Sequence, residues 1–128
     1  MALGFRMGQI VGGGQIINPT ANILVAVFGN NNFATNVISF NNLTPGVSYI
    51  ATVSIRYSVS AGTISARLVD ENSSVIETQQ RTHTGTQTDY TFMFSFTATT
   101  ATEYIRVASS YNSGSQVIVP LTANINIP

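Results

Sequence analysis

Few side chains in this 128-residue chain could do chemistry. There is one His, His83, and there are five carboxylates, Asp70, Glu71, Glu77, Asp89 and Glu103. No Cys is present, which removes thiolate nucleophiles, thiolate metal sites and disulfides together. General acid–base work by a His needs a second group positioned beside it, and neither a Cys nor a Gly-x-Ser-x-Gly elbow supplies one. His83 lies in Arg81-Thr82-His83-Thr84-Gly85, which reads as part of a polar loop from Arg81 to Asp89. The imidazole is expected to be solvated or locally bonded there, and its removal to affect only local loop stability. Asp70 and Glu71 fall in Asp70-Glu71-Asn72-Ser73, a hairpin-turn signal in which Asp is at home. A paired-acid glycosidase site would therefore have to be assembled from scattered loops. Oxygen ligands at Asp70, Asn72 or Asp89 leave a calcium site chemically open. Gly12-Gly13-Gly14 is no phosphate loop, because the Lys such a loop requires is absent from the chain. The expectation is a protein that is not an enzyme and uses no metal or other cofactor.

Composition narrows the class further. Charged residues make up 8% of the chain and the formal net charge is zero, against roughly 25% charged residues in ordinary globular usage. Without a basic excess, binding to nucleic acid or to an anionic membrane surface is not expected. The longest apolar run, Ile23 to Phe28, is six residues and cannot span a bilayer. The start, Met1-Ala2-Leu3-Gly4-Phe5-Arg6, lacks the pattern of a signal peptide. Ser, Thr, Asn and Gln total 47 residues and carry the polarity instead. Such a neutral coat of hydroxyls and amides suits a subunit that works docked in an assembly, since freely diffusing domains usually draw solubility from more charge.

The elements that would position these residues are strands. Val, Ile and Thr total 41 residues while Leu and Met supply eight, and β-branched side chains favour pleated surfaces over helices. Alternation agrees. Val47, Tyr49, Ala51, Val53, Ile55 and Tyr57 form one face of a strand; Tyr90, Phe92, Phe94 and Phe96 form another; Val117, Val119, Leu121, Ala123, Ile125 and Ile127 form a third. Weaker strands are read at Ile23–Phe28, Asn36–Phe40, Thr63–Asp70, Ser74–Gln79 and Thr102–Ser109. Thr44-Pro45-Gly46-Val47 suits a type II turn, and Pro120 implies an edge or a bulge in the last strand. About eight alternating strands without a βαβ rhythm predict an all-β antiparallel sandwich of jelly-roll type. It occupies residues 21–128 and follows an extended Gly-rich arm over residues 1–20.

Half of the ten Gly lie before Pro19, among Leu3, Phe5, Arg6, Met7, Ile10, Val11, Ile16 and Ile17. So many Gly oppose regular structure, while so many large apolar side chains oppose a solvated tail. Two readings remain: a flexible terminus with an irregular first strand, or an arm that orders against another chain. Outside the core, the alternation points Arg56, Arg67, Tyr104 and Arg106 away from it, and Tyr111-Asn112 lies in a polar loop. These six are either scattered solvent-facing residues or a recognition surface, for which Arg and Tyr are favoured.

The run from Val37 through Leu43-Thr44-Pro45-Gly46-Val47-Ser48-Tyr49 to Arg56, then Ala66 to Asp70, then Thr88-Asp89-Tyr90-Thr91-Phe92-Met93-Phe94-Ser95-Phe96 resembles jelly-roll domains of the carbohydrate-binding-module type. Fibronectin type III domains share the Leu-x-Pro-Gly-x-x-Tyr pattern, although their core Trp is missing here. The resemblance implies the fold, and it implies company: many such domains decorate bacteriophage virions. It carries no binding residue across. The function it leads to is a virion cement, decoration or fibre subunit, assembled in the host cytoplasm. As partners it would have its own copies, as a trimer, and the major capsid or another virion protein. The alternative is a carbohydrate-binding adhesin module in which Tyr111, Asn112 and their neighbours grip a glycan.

Overall fold

The computed structural model describes residues 10–11, 14–15, 17–29, 32–59, 61–85, 87–110 and 113–128. The chain is all-β in these residues, as its β-branched and aromatic content dictates. The strands run β1 (Ile10–Val11), β2 (Gly14–Gln15), β3 (Thr20–Ile23), β4 (Val27–Gly29), β5 (Ile38–Asn41), β6 (Ser48–Ser58), β7 (Gly62–Asp70), β8 (Val75–His83), β9 (Thr88–Thr97), β10 (Glu103–Ser109) and β11 (Ser113–Asn126). A five-stranded antiparallel sheet, ordered β3-β5-β10-β7-β8, packs on a four-stranded one, ordered β4-β11-β6-β9. From β3 onward successive strands alternate between the two sheets except at the β7–β8 hairpin, the winding that makes a jelly roll. Among the described residues the short β1 and β2 pair with each other, Ile10 opposite Gln15 and Val11 opposite Gly14.

The core follows the alternation. Tyr49, Ala51, Val53, Ile55 and Tyr57 of β6 are fully buried, as are Phe92 and Phe94 of β9, and Phe96 is buried beside them. From the other sheet Ile38, Phe40, Ile64, Leu68 and Ile105 meet them without exposure. Burying a side chain of this size contributes about 1.5–3 kcal/mol. The Thr44–Val47 turn closes with a 3.0 Å bond from the Val47 N–H to the Thr44 carbonyl, and Gly46 takes φ +90° there. The Tyr49 hydroxyl reaches back to accept the Thr44 N–H at 2.8 Å, with Leu43 buried below. Leu-x-Pro-Gly-x-x-Tyr is thus a corner that fixes the entry of β6, similar in design to the tyrosine corner of sandwich domains. These hydrogen bonds run within the corner itself, so its visible part is structural.

Three strand readings need correction. The apolar run Ile23–Phe28 is not one strand, because the chain leaves the five-stranded sheet after Ile23 and enters the four-stranded one at Val27. This division makes the sandwich nine-stranded among the described residues. In β11 the register shifts between Pro120 and Thr122. Ile118 and Pro120 are buried before the shift and Ile125 after it, while Val117, Val119 and Leu121 keep partial exposure on the outer face. A bulge inserts one residue and reverses the parity, so the continuous odd-numbered face does not form. Pro120 marks that bulge, but β11 lies between β4 and β6 and is no edge. Finally, β8 continues through His83, well past Gln79.

Candidate functional site

The extension of β8 decides the fate of His83. The side chain is 1% exposed, with Nε2 2.8 Å from the Val59 carbonyl and Nδ1 2.7 Å from the Tyr90 hydroxyl. A carbonyl can only accept, so Nε2 carries the proton and donates it; in the neutral ring Nδ1 accepts the Tyr90 O–H. His83 and Tyr90 also meet edge to face, their ring centroids 5.7 Å apart. The expectation of a solvated loop imidazole is therefore overturned. Both ring nitrogens are committed to joining β8, β9 and the segment after β6.

The same face of β8 closes the open side of the sandwich. β8 and β9 are edge strands of opposite sheets, and a free edge offers unpaired backbone groups to other chains. Gln79 donates through Nε2 to the Met93 carbonyl at 2.6 Å, and Arg81 donates through Nη2 to the Thr91 carbonyl at 3.1 Å. The Arg81 guanidinium also lies 4.4 Å from the Phe92 ring centroid. Long polar side chains thus occupy inward positions because the strand they face presents carbonyl oxygens.

The five carboxylates form no common site. Asp89 pairs with Arg56 at 2.7 Å on the outer face of the four-stranded sheet, which holds its carboxyl below the ordinary carboxylate range and raises the guanidinium. Glu77 accepts from Gln79. Asp70 shapes its own turn, taking the Asn72 and Ser74 N–H groups on Oδ1 at 2.8 and 3.0 Å, and Thr99 Oγ1 donates to its Oδ2 at 3.2 Å. Glu71 clasps the neighbouring loop by accepting the Thr102 N–H. Asp70, Asn72 and Asp89 do not converge, and no group of three metal-ligating side chains occurs among the described residues.

Glu103 stands opposite Asp70 in register and is fully buried. Its Oε2 accepts the Thr99 N–H at 2.9 Å, while Oε1 is the one buried side-chain polar atom without a partner among the described residues. Burial raises its carboxyl above the ordinary range, against the Thr99 and Thr100 backbone donors, and the nearby Asp70 charge adds to the rise. An acid raised in the folded state contributes stability that is complete below the unfolded value, about 4.3, and is lost as pH rises through the native value. Glu103→Gln is expected to remove that loss. Melting temperatures of both proteins from pH 4 to pH 8 check it: the wild-type value falls relative to the variant, whereas parallel curves contradict the assignment.

The surface candidates fall on two faces. Arg56 lies on the four-stranded sheet, whereas Arg67, Tyr104 and Arg106 share the outer face of the five-stranded one, with Arg67 and Arg106 directly opposite each other. Tyr111, Asn112, Leu3, Phe5, Arg6, Met7 and Ile16 lie outside the described residues, and Ile10 and Val11 are placed only as the strand β1. Ile17 is 66% exposed. Two surface features did not follow from the strand periodicity. One is Phe33, whose ring centroid lies 3.8 Å from the Arg67 guanidinium carbon. The other is an apolar strip at the crossing between the sheets, where Ile23, Leu24, Val25 and Phe28 are 47%, 46%, 46% and 58% exposed. Comparison with known proteins assigns no family: no family model matches the chain, and no curated protein matches it.

Proposed function

We propose that this chain is a non-enzymatic structural protein of a virion, a cement, decoration or fibre subunit that stabilises a particle surface by docking as a homotrimer. The apolar strip Ile23-Leu24-Val25 with Phe28 carries the reading. Four large apolar side chains half open to water, on a protein whose surface is short of charge, mark a surface made to be covered. Ile17, before β3, is exposed as well, and the segment preceding it carries Leu3, Phe5, Met7, Ile10 and Ile16. An apolar arm joined to an apolar strip suits exchange between protomers, in which the arm of one subunit covers the strip of the next.

Sedimentation velocity on the full chain and on a chain lacking residues 1–18 tests this. Removal of the arm is expected to convert a trimer to monomer and to lower its thermal stability. A sedimentation coefficient and melting temperature indifferent to the deletion contradict the reading.

A further inference from the structure

The outer face of the five-stranded sheet carries two positive charges that no carboxylate answers. Arg67 and Arg106 are cross-strand neighbours, a placement that like charges make unfavourable. All five carboxylates of the chain are described, and each has other partners: Asp89 bonds Arg56, Glu77 bonds Gln79, and Asp70, Glu71 and Glu103 serve their own turns and loops. Neutral acceptors hold the guanidinium groups instead. Arg106 donates through Nε to Asn36 Oδ1 at 2.8 Å and through Nη2 to Ser73 Oγ at 3.0 Å. Arg67 donates through Nε to Thr78 Oγ1 at 3.1 Å and lies on the Phe33 ring. Phe33 and Asn36 come from one connection, the loop before β5, so a single segment orients both side chains.

Acceptors of this kind fix a guanidinium without neutralising it. Among the described residues both Nη groups of Arg67 are left without a hydrogen bond, a fork that matches a carboxylate, and Nη1 of Arg106 is left as a further charged donor beside it. Next to the pair, the small side chains of Ser65 and Ala108 leave a depression of about 180 Å³ walled by Phe33 and Gln80, able to seat one inserted side chain. Tyr104 shares the face. Oriented Arg with Tyr beside a small pocket is the composition on which protein interfaces concentrate binding energy. Two Arg on a chain of zero net charge are too few to track a nucleic-acid backbone.

We infer that this face docks an acidic segment of a partner protein, whose Asp or Glu carboxylates pair with Arg67 and Arg106. The inference rests on the assembly reading and names the chemistry of the partner, on a face separate from the strip through which copies of the chain would join.

The test is an NMR titration of the full chain, following the Arg Nε–Hε signals, with a hexaglutamate peptide as probe and hexaglutamine as its neutral counterpart. Saturable shifts of the Arg67 and Arg106 signals with hexaglutamate alone are expected. Affinity should fall at least tenfold in Arg67→Gln/Arg106→Gln, and by less in Arg67→Lys/Arg106→Lys, which keeps the charges and loses the forks. No saturable shift, shifts that survive the Gln substitutions, or equal affinity for inorganic phosphate or glucuronate overturn the inference. Light scattering on the Gln variant separates the two proposals: it should retain the wild-type mass, and loss of peptide binding with the mass kept bears on this face alone.

Discussion

His83→Ala is expected to destabilise the fold by about 2–4 kcal/mol. The substitution leaves a cavity where an imidazole is 1% exposed, and large-to-small changes in well-packed sites cost on this order. It also strands the Val59 carbonyl and the Tyr90 hydroxyl, each a buried or half-buried polar group that loses its partner. Against a total stability of about 5–15 kcal/mol for a domain of this kind, the loss is a large fraction, equivalent to a melting-temperature drop on the order of 10 °C. Tyr90→Phe removes only the hydroxyl donor and should cost about 1 kcal/mol. Chemical denaturation of the two variants checks the ordering. A change within about 0.5 kcal/mol for His83→Ala, typical of a surface substitution, contradicts the joining role given to the imidazole.

The second large effect concerns assembly. Leu24→Asp/Phe28→Asp places two charges on side chains that are 46% and 58% exposed, so the fold itself should tolerate them. The Leu24 N–H bond to the Val37 carbonyl involves backbone alone and survives. Within a covered interface the same charges become buried and unpaired, which is strongly unfavourable. The double variant is therefore expected to run as a monomer in size-exclusion chromatography with light-scattering detection, with a melting curve set by the single sandwich. An unchanged oligomer mass excludes the strip from the interface.

Much of the fold was legible because its signals are periodic. The alternation in β6 and β9 named the buried side chains one by one, and Pro45-Gly46 named the turn. The misreadings have a common physical cause, since each lies where packing departs from the simple rule of apolar inside and polar outside. β8 extends to His83 with Gln79 and Arg81 facing inward, because they meet backbone carbonyls of an edge strand. A polar inward face is invisible to hydrophobic periodicity. Pro120 signalled an edge or a bulge in the last strand, but the alternation was still read straight through it, and the bulge reversed the parity. Ile23–Phe28 is apolar throughout and so hid its own crossing between the sheets.

The surface was legible only in part. Arg56, Arg67, Tyr104 and Arg106 do point outward, but Arg56 belongs to a different sheet from the other three. Phe33 could not be found from spacing, because a loop aromatic that braces an Arg belongs to no repeating pattern. The apolar strip was present in the sequence, yet its exposure depends on where the chain changes sheets.

Static light scattering on the intact chain over a range of concentrations tests the central claim most directly. The account predicts a mass about three times 13.6 kDa that persists on dilution and in high salt, as apolar contacts should. A monodisperse mass of 13.6 kDa at every concentration would contradict it.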